Sequence, residues 1–179
     1  MKIGLVRHFK VNHPFPKKRL LTKKEVIEWF SGYDRTENIQ YKDVDLSSVN
    51  WQRCYASPMI RALNTAAHIY HGHIEQVTGL KELDILHRLP GKFRLPFLLW
   101  ATIVRIKSFS ANSDTQRFQT QIIAFLDSIM AQDPQDTLVV SHWFVMRIMR
   151  KELIKRGFIG KKFRSNEYAT LYIFEKKGH

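Results

Sequence analysis

Three places in the sequence put a cationic or nucleophilic side chain where an apolar run of strand length stops. Arg7-His8 follows residues 2–6, Arg61 falls in the first turn of the helix expected after residues 51–56, and His142 comes directly after residues 137–140. A neutral imidazole is a nucleophile and proton carrier, and a guanidinium presents a planar fork of donors to phosphate or carboxylate oxygens. If the three strands are parallel, these side chains meet at one edge of the sheet beside helix N-termini that favour anions. Each residue alone reads better as a surface cation than as a catalytic group. Their conjunction at three strand ends points to a phosphate-type ligand.

The elements that must position them follow from periodicity and punctuation. Thr22-Lys23-Lys24-Glu25 matches a capping box, and Val26, Ile27, Trp29 and Phe30 form the apolar side of a helix ending near Gly32. Ser57-Pro58 predicts an N-cap and first helical position, with Met59, Leu63, Ala66, Ala67 and Tyr70 on one face. Residues 74–78 read as a third strand closed by Gly79. Leu80 to Asn112, with Pro90, Gly91 and Pro96, reads as an irregular excursion containing a helix near 97–108. An amphipathic helix carries Phe118, Ile122, Phe125, Leu126, Ile129 and Met130. The strand at 137–140 runs into a helix bearing Val145, Ile148, Met149 and Leu153, and residues 168–174 form a last strand. Strands alternating with helices predict an α/β three-layer sandwich with a largely parallel central sheet flanked by helices. One domain is expected over residues 1–179, with a cap-like insertion around 80–112.

Composition narrows the function classes. The 179 residues are 44% hydrophobic and 12% aromatic, enough to bury a core and to exclude a disordered chain. A formal net charge of +13 favours anionic partners. The basic residues cluster around Lys10, Lys17, Lys18, Arg19, Lys23 and Lys24, and again from Arg147 to Arg164. No nucleic-acid fold signature accompanies them, so they read as solvated faces, some able to steer an anionic substrate. The single cysteine, Cys54, excludes an internal disulfide and reads as a buried, inert thiol. The longest apolar stretch, 95–104, falls far short of the roughly 20 residues that span a bilayer. A cytoplasmic protein without a membrane span is the expectation; the sequence leaves the oligomeric state open. His68, His71 and His73 form a short cluster with no carboxylate or thiolate to complete a metal site, so they read as a solvated helix end.

Leu5-Val6-Arg7-His8 resembles the Arg-His-Gly signature of the histidine phosphatase superfamily, the phosphoglycerate mutase-like proteins. Residues 55–66, Tyr-Ala-Ser-Pro-Met-Ile-Arg-Ala-Leu-Asn-Thr-Ala, are similar to that family's Ser-Ser-x-x-x-Arg-Ala-x-x-Thr-Ala segment. Val139-Val140-Ser141-His142 matches its Ser/Thr-His-Gly segment, with Arg147 where the family often has arginine, and Leu80-Lys81-Glu82 is similar to its Leu-x-Glu. The motifs keep the family's order across residues 3–147.

The resemblance implies a metal-independent phosphatase that needs no cofactor and works through a phosphohistidine. His8 would be the nucleophile; Arg7, Arg61 and His142 would hold the phosphoryl oxygens; Glu82 would be the proton donor, with Asp84 as the substitute acid. Such a pocket works by positioning and electrostatics. A small phosphorylated metabolite is the expected substrate. The alternatives are a phosphoprotein phosphatase, including one for phosphohistidine, and a degenerate member that binds a phospho-ligand or nucleic acid without turnover.

The sequence also departs from the family's pattern. The glycine after each histidine is replaced by Phe9 and Trp143, the usual Glu/Gln-Thr/Ser pair by Lys10-Val11, and a later asparagine by Pro14, with Asn12 two residues early. These changes argue against a glycolytic phosphoglycerate, and the chain length suits a hydrolase better than a mutase. Phe9 and Trp143 are possible pocket walls, since a large aromatic there either walls the cleft or points into the core. The stretch around Phe97–Trp100 reads as core, with a lid over the site as the alternative.

Overall fold

The computed structural model describes residues 1–110, 112–131, 134–164 and 167–176. In chain order the elements are β1 (Lys2–Arg7), β2 (Lys10–Val11), α1 (Lys23–Arg35), β3 (Ile39–Gln40), β4 (Arg53–Ala56), α2 (Ile60–Ile69), β5 (Ile74–Gln76), α3 (Phe97–Phe109), α4 (Ser113–Ala131), β6 (Thr137–Ser141), α5 (Trp143–Lys155), β7 (Phe158–Gly160) and β8 (Leu171–Lys176). Six strands form one sheet in the order β5-β4-β6-β1-β8-β7; β2 and β3 pair separately. The four strands from β5 to β1 are parallel, and β8 and β7 close the sheet antiparallel.

Alternation along the strands makes the layers. Ile3, Leu5, Tyr55 and Val139 pack on one face against Phe118, Ile122, Leu126, Val145 and Met149 of α4 and α5. Val6, Cys54, Ala56, Leu138 and Val140 pack on the other face against Ala66 of α2. This is the expected three-layer α/β sandwich. A separate cluster of Leu21, Val26, Leu89 and Trp100 ties α1 to α3. The Trp100 indole N–H donates to the Leu21 carbonyl at 2.9 Å, and Leu21 and Leu95 exchange both backbone bonds.

Local signals account for several boundaries and miss others. The capping box is present as read: the Thr22 hydroxyl accepts the Glu25 N–H while the Glu25 carboxylate accepts the Thr22 N–H. The Ser57-Pro58 helix start is corrected, because α2 begins at Ile60 with Met59 at the N-cap. Ser57 instead accepts the Met59 N–H at 3.4 Å, forming a turn ahead of the helix. The expected strand at 168–174 begins only at Leu171. Ala169 has φ 47° there, and its N–H donates to the Arg7 carbonyl at 3.0 Å, so the chain turns before it can pair. Among the described residues, no helix is long and apolar enough to cross a membrane.

Candidate active site

Parallel register sets the site. Arg7 pairs with Ser141 and Ala56 with Val140, so three strands finish level with one another. The backbone carries that alignment one residue further, with the His8 N–H on the Ser141 carbonyl and the Ser57 N–H on the Val140 carbonyl, both at 3.0 Å. His8 and His142 then lie with ring centroids 5.1 Å apart, and both are buried.

Each histidine has a distinct partner. The His8 Nδ1 lies 2.6 Å from the Phe9 carbonyl, which can only accept, so Nδ1 carries the proton and Nε2 keeps its lone pair. Burial, reinforced by His142 and Arg61, holds the His8 imidazole well below the ordinary histidine range. His142 is likewise held neutral, by burial first and then by Arg61 and Arg7. Its Nε2 is 2.9 Å from the Ser57 hydroxyl, and its buried Nδ1 lies 3.7 Å from the Glu82 carboxylate.

Arg61 links the remaining parts. Its guanidinium is 2% exposed and donates to Asp34 at 2.8 Å through Nη1 and to Glu82 at 2.9 Å through Nη2. Thr65, one turn further along α2, donates to the Arg61 carbonyl at 2.6 Å and accepts the Phe9 N–H at 2.8 Å. One hydroxyl therefore fixes the arginine helix to the backbone beside His8. The Arg7 guanidinium lies 3.7 Å from the centroid of the Tyr168 ring, and that ring also meets His8 edge-on at 5.6 Å. Ser141 donates to the Leu80 carbonyl at 2.9 Å and so anchors the loop that presents Glu82.

The structure thus brings Arg7, His8, Arg61, Glu82 and His142 together. Asp84 does not join them: its carboxylate accepts the Leu86 N–H at 3.0 Å, opening a short helical turn. Phe9 is corrected as a pocket wall. It is fully buried with Val11, Ile39 and Ala169, and its ring meets Tyr41 and His68. Trp143 does line a cavity of about 270 Å³, together with Arg7, Glu82, Phe30 and, from α3, Val104 and Arg105. Asn12 is turned to Asn38 and Pro14 receives the Trp29 indole N–H, so neither contributes here. His68, His71 and His73 are exposed. The Cys54 thiol is pushed up to about 12 by burial.

Sequence reasoning missed Asp34, Ser57 as a histidine partner, and Tyr168. Asp34 is raised above the ordinary carboxylate range by burial, against the opposing pull of Arg61. Tyr33 beside it is raised to about 12, again by burial. Neither carries a local sequence signal, because their partners come from distant elements.

The model for the histidine phosphatase superfamily (branch 1) matches residues 43–179. That match contains Arg61, Glu82 and His142, while Arg7 and His8 precede it. Among solved structures, Bacillus stearothermophilus YhfR is similar with a TM-score of 0.57 and 16% identity, over 99% of this chain and 92% of that one. The Entamoeba histolytica phosphoserine phosphatase in complex with 3-phosphoglyceric acid is similar at a TM-score of 0.47 and 19% identity, over 86% and 80% of the two chains. The protein histidine phosphatase SixA complexed with tungstate gives 0.42 and 13%, over 83% and 74%. A search of curated proteins finds no match.

Proposed function

The chain belongs to the histidine phosphatase superfamily, and on that premise we propose that it hydrolyses a small phosphomonoester through a phosphohistidine at His8. The observation that carries this reading is the His8 Nδ1 bond to the Phe9 carbonyl, which fixes the tautomer and leaves Nε2 as the nucleophile in a neutral ring. The Nε2 lone pair attacks phosphorus and the P–O ester bond breaks. Arg7, Arg61 and His142 take the phosphoryl oxygens and offset the charge of the transition state. The Ser57 hydroxyl accepts from Met59 and has its own proton free for His142 Nε2. That leaves His142 Nδ1 protonated, able to donate to a phosphoryl oxygen.

Glu82 supplies the proton to the leaving oxygen. A phosphoryl oxygen that bonds Arg61 Nη2 competes directly with the Glu82 carboxylate for that donor, while Asp34 keeps Nη1 and holds the arginine in place. Glu82, released from the arginine, takes the proton that a monoanionic ester carries on its phosphate and delivers it to the leaving oxygen as the P–O bond breaks. It then takes a proton from the water that attacks the phosphohistidine, freeing inorganic phosphate and restoring His8. These steps route through no metal or cofactor. The apolar walls formed by Phe30, Val104, Phe109, Trp143 and Phe144 favour a compact organic ester over a phosphoprotein surface.

Protein given a labelled phosphomonoester and quenched in alkaline denaturant should carry alkali-stable, acid-labile phosphate on His8. An unlabelled protein with full turnover would sink the mechanism, and an absence of turnover on any ester would favour the non-enzymatic binder. Glu82→Gln should slow alkyl phosphates by about 10²–10⁴, and aryl phosphates, whose leaving oxygen needs little protonation, far less. Asp84→Asn should spare both classes.

A further inference from the structure

Behind Trp143 lies a second and larger cavity, about 680 Å³, bounded by Arg147, Arg150, Lys151, Lys162 and Phe163. It shares Arg105, Phe109, Trp143 and Phe144 with the cavity that reaches Arg7 and Glu82. Among the described residues no carboxylate lines it. Among the described residues, none of Arg105, Arg147, Arg150, Lys151 and Lys162 has a carboxylate within ion-pair distance, whereas Arg61 and Arg156 each have two. Gathering uncompensated cations around one concavity costs self-repulsion that an anion relieves.

The three arginines are also held in place. Arg147 lies over the Phe109 ring at 5.0 Å and the Trp143 ring at 5.5 Å, and Arg105 lies over Trp143 at 5.3 Å. The Arg150 Nε donates to the Lys161 carbonyl. Phe163 is packed edge-on against Tyr172 and Phe174. Guanidiniums braced on aromatic faces lose less freedom on binding than solvated side chains do. The same bracing covers Trp143 and Phe109 with arginines, so these rings are not offered as platforms for stacked bases.

We propose that this cavity is a second anion site that receives a distal phosphate of the substrate, so the preferred esters are bisphosphorylated small molecules. The inference rests on the phosphatase reading only for which phosphate is cleaved. The scissile group lies at His8, the organic body runs between α3 and α5 past Trp143, and the second phosphate meets Arg147, Arg150, Lys151 and Lys162.

Calorimetry on His8→Ala protein with alkanediol bisphosphates of increasing length, against the matching monophosphates, tests the site without turnover. At the fitting length the bisphosphate should bind about tenfold more tightly, an advantage that shrinks as salt is raised. Adding Arg150→Gln and Lys162→Gln should remove most of that advantage. Equal binding of the two ester series at every length would overturn the proposal, as would an advantage that survives the two substitutions. A 5′-phosphorylated oligonucleotide that outbinds every bisphosphate would overturn it in favour of nucleic acid. Wild-type protein that turns over none of these esters while the bisphosphate advantage persists would strike the phosphatase reading and support the anion site.

Discussion

Phe9 and Trp143 stand in matching places, each directly after a buried histidine at the end of a parallel strand, and the chain sends them opposite ways. After β1 two residues lead into β2, and Phe9 packs into the cluster of Val11, Ile39 and Ala169. After β6 the chain enters α5 at once. His142 is its N-cap and Trp143 its first helical residue, which faces α3 across the cleft. The difference shows what position 9 must supply: a backbone carbonyl for His8 and a backbone N–H for Thr65. Any residue but proline offers those groups, so the aromatic side chain there is free to serve the core. At position 143 the side chain itself is in the wall.

The sharpest way to separate the two crossings is through their histidines. His8→Ala should lower kcat/KM by on the order of 10⁴–10⁶, the scale of losing a nucleophile. His142→Ala should cost about 10²–10³, the scale of losing one transition-state donor. Equal losses in steady-state assays would erase the asymmetry. Next comes stability. Phe9→Ala removes a fully buried ring and should cost about 3–5 kcal/mol, lowering Tm by roughly 10 °C in a chain of this size. Trp143 is only partly buried, and its indole N–H has no partner in the structure among the described residues. Trp143→Phe should therefore be neutral or stabilising, because it removes a buried donor without an acceptor. Trp143→Ala should broaden the accepted esters while turnover of small aryl phosphates stays within a few-fold.

The smallest effect is in pH. Both histidines are held neutral in the fold, while in the unfolded chain they titrate near 6.5. Below that value the unfolded chain binds protons that the folded one refuses. Stability should therefore fall as pH drops below about 6.5, by at most about 1.4 kcal/mol per pH unit per histidine, and stay flat above it. Replacing either histidine with glutamine should halve that slope in denaturant titrations. For the same reason His8 stays neutral below pH 6.5.

The parallel half of the sheet was legible because each strand there is an apolar run with punctuation at its end, and Arg7, His8, Arg61 and His142 sit at those ends. Glu82 was legible only through the family's Leu-x-Glu pattern, since a loop carboxylate has no periodicity of its own. Asp34 looks like an ordinary acid near the end of an amphipathic helix, and its role depends on Arg61 reaching it from α2. The sequence reads Tyr168 as the first residue of a strand, because no residue type there announces that Ala169 adopts a positive φ. The two-residue pair β2–β3 and the short β7 are defined by partners rather than by pattern, so neither was foreseen.

The sheet order also has a consequence in time. β1 precedes both of its sheet neighbours, β6 and β8, by most of the described elements. Until they arrive, the apolar faces of Ile3, Leu5 and Val6 have nothing to pair with, and His8 has no Ser141 carbonyl to hold its backbone. Pairings of such long sequence separation are slow to form and leave strand edges exposed meanwhile, so the nascent chain is most open to aggregation just before β6 and β8 close over β1. Fragments ending short of β6 would contain His8 and lack the strand that brings His142 beside it.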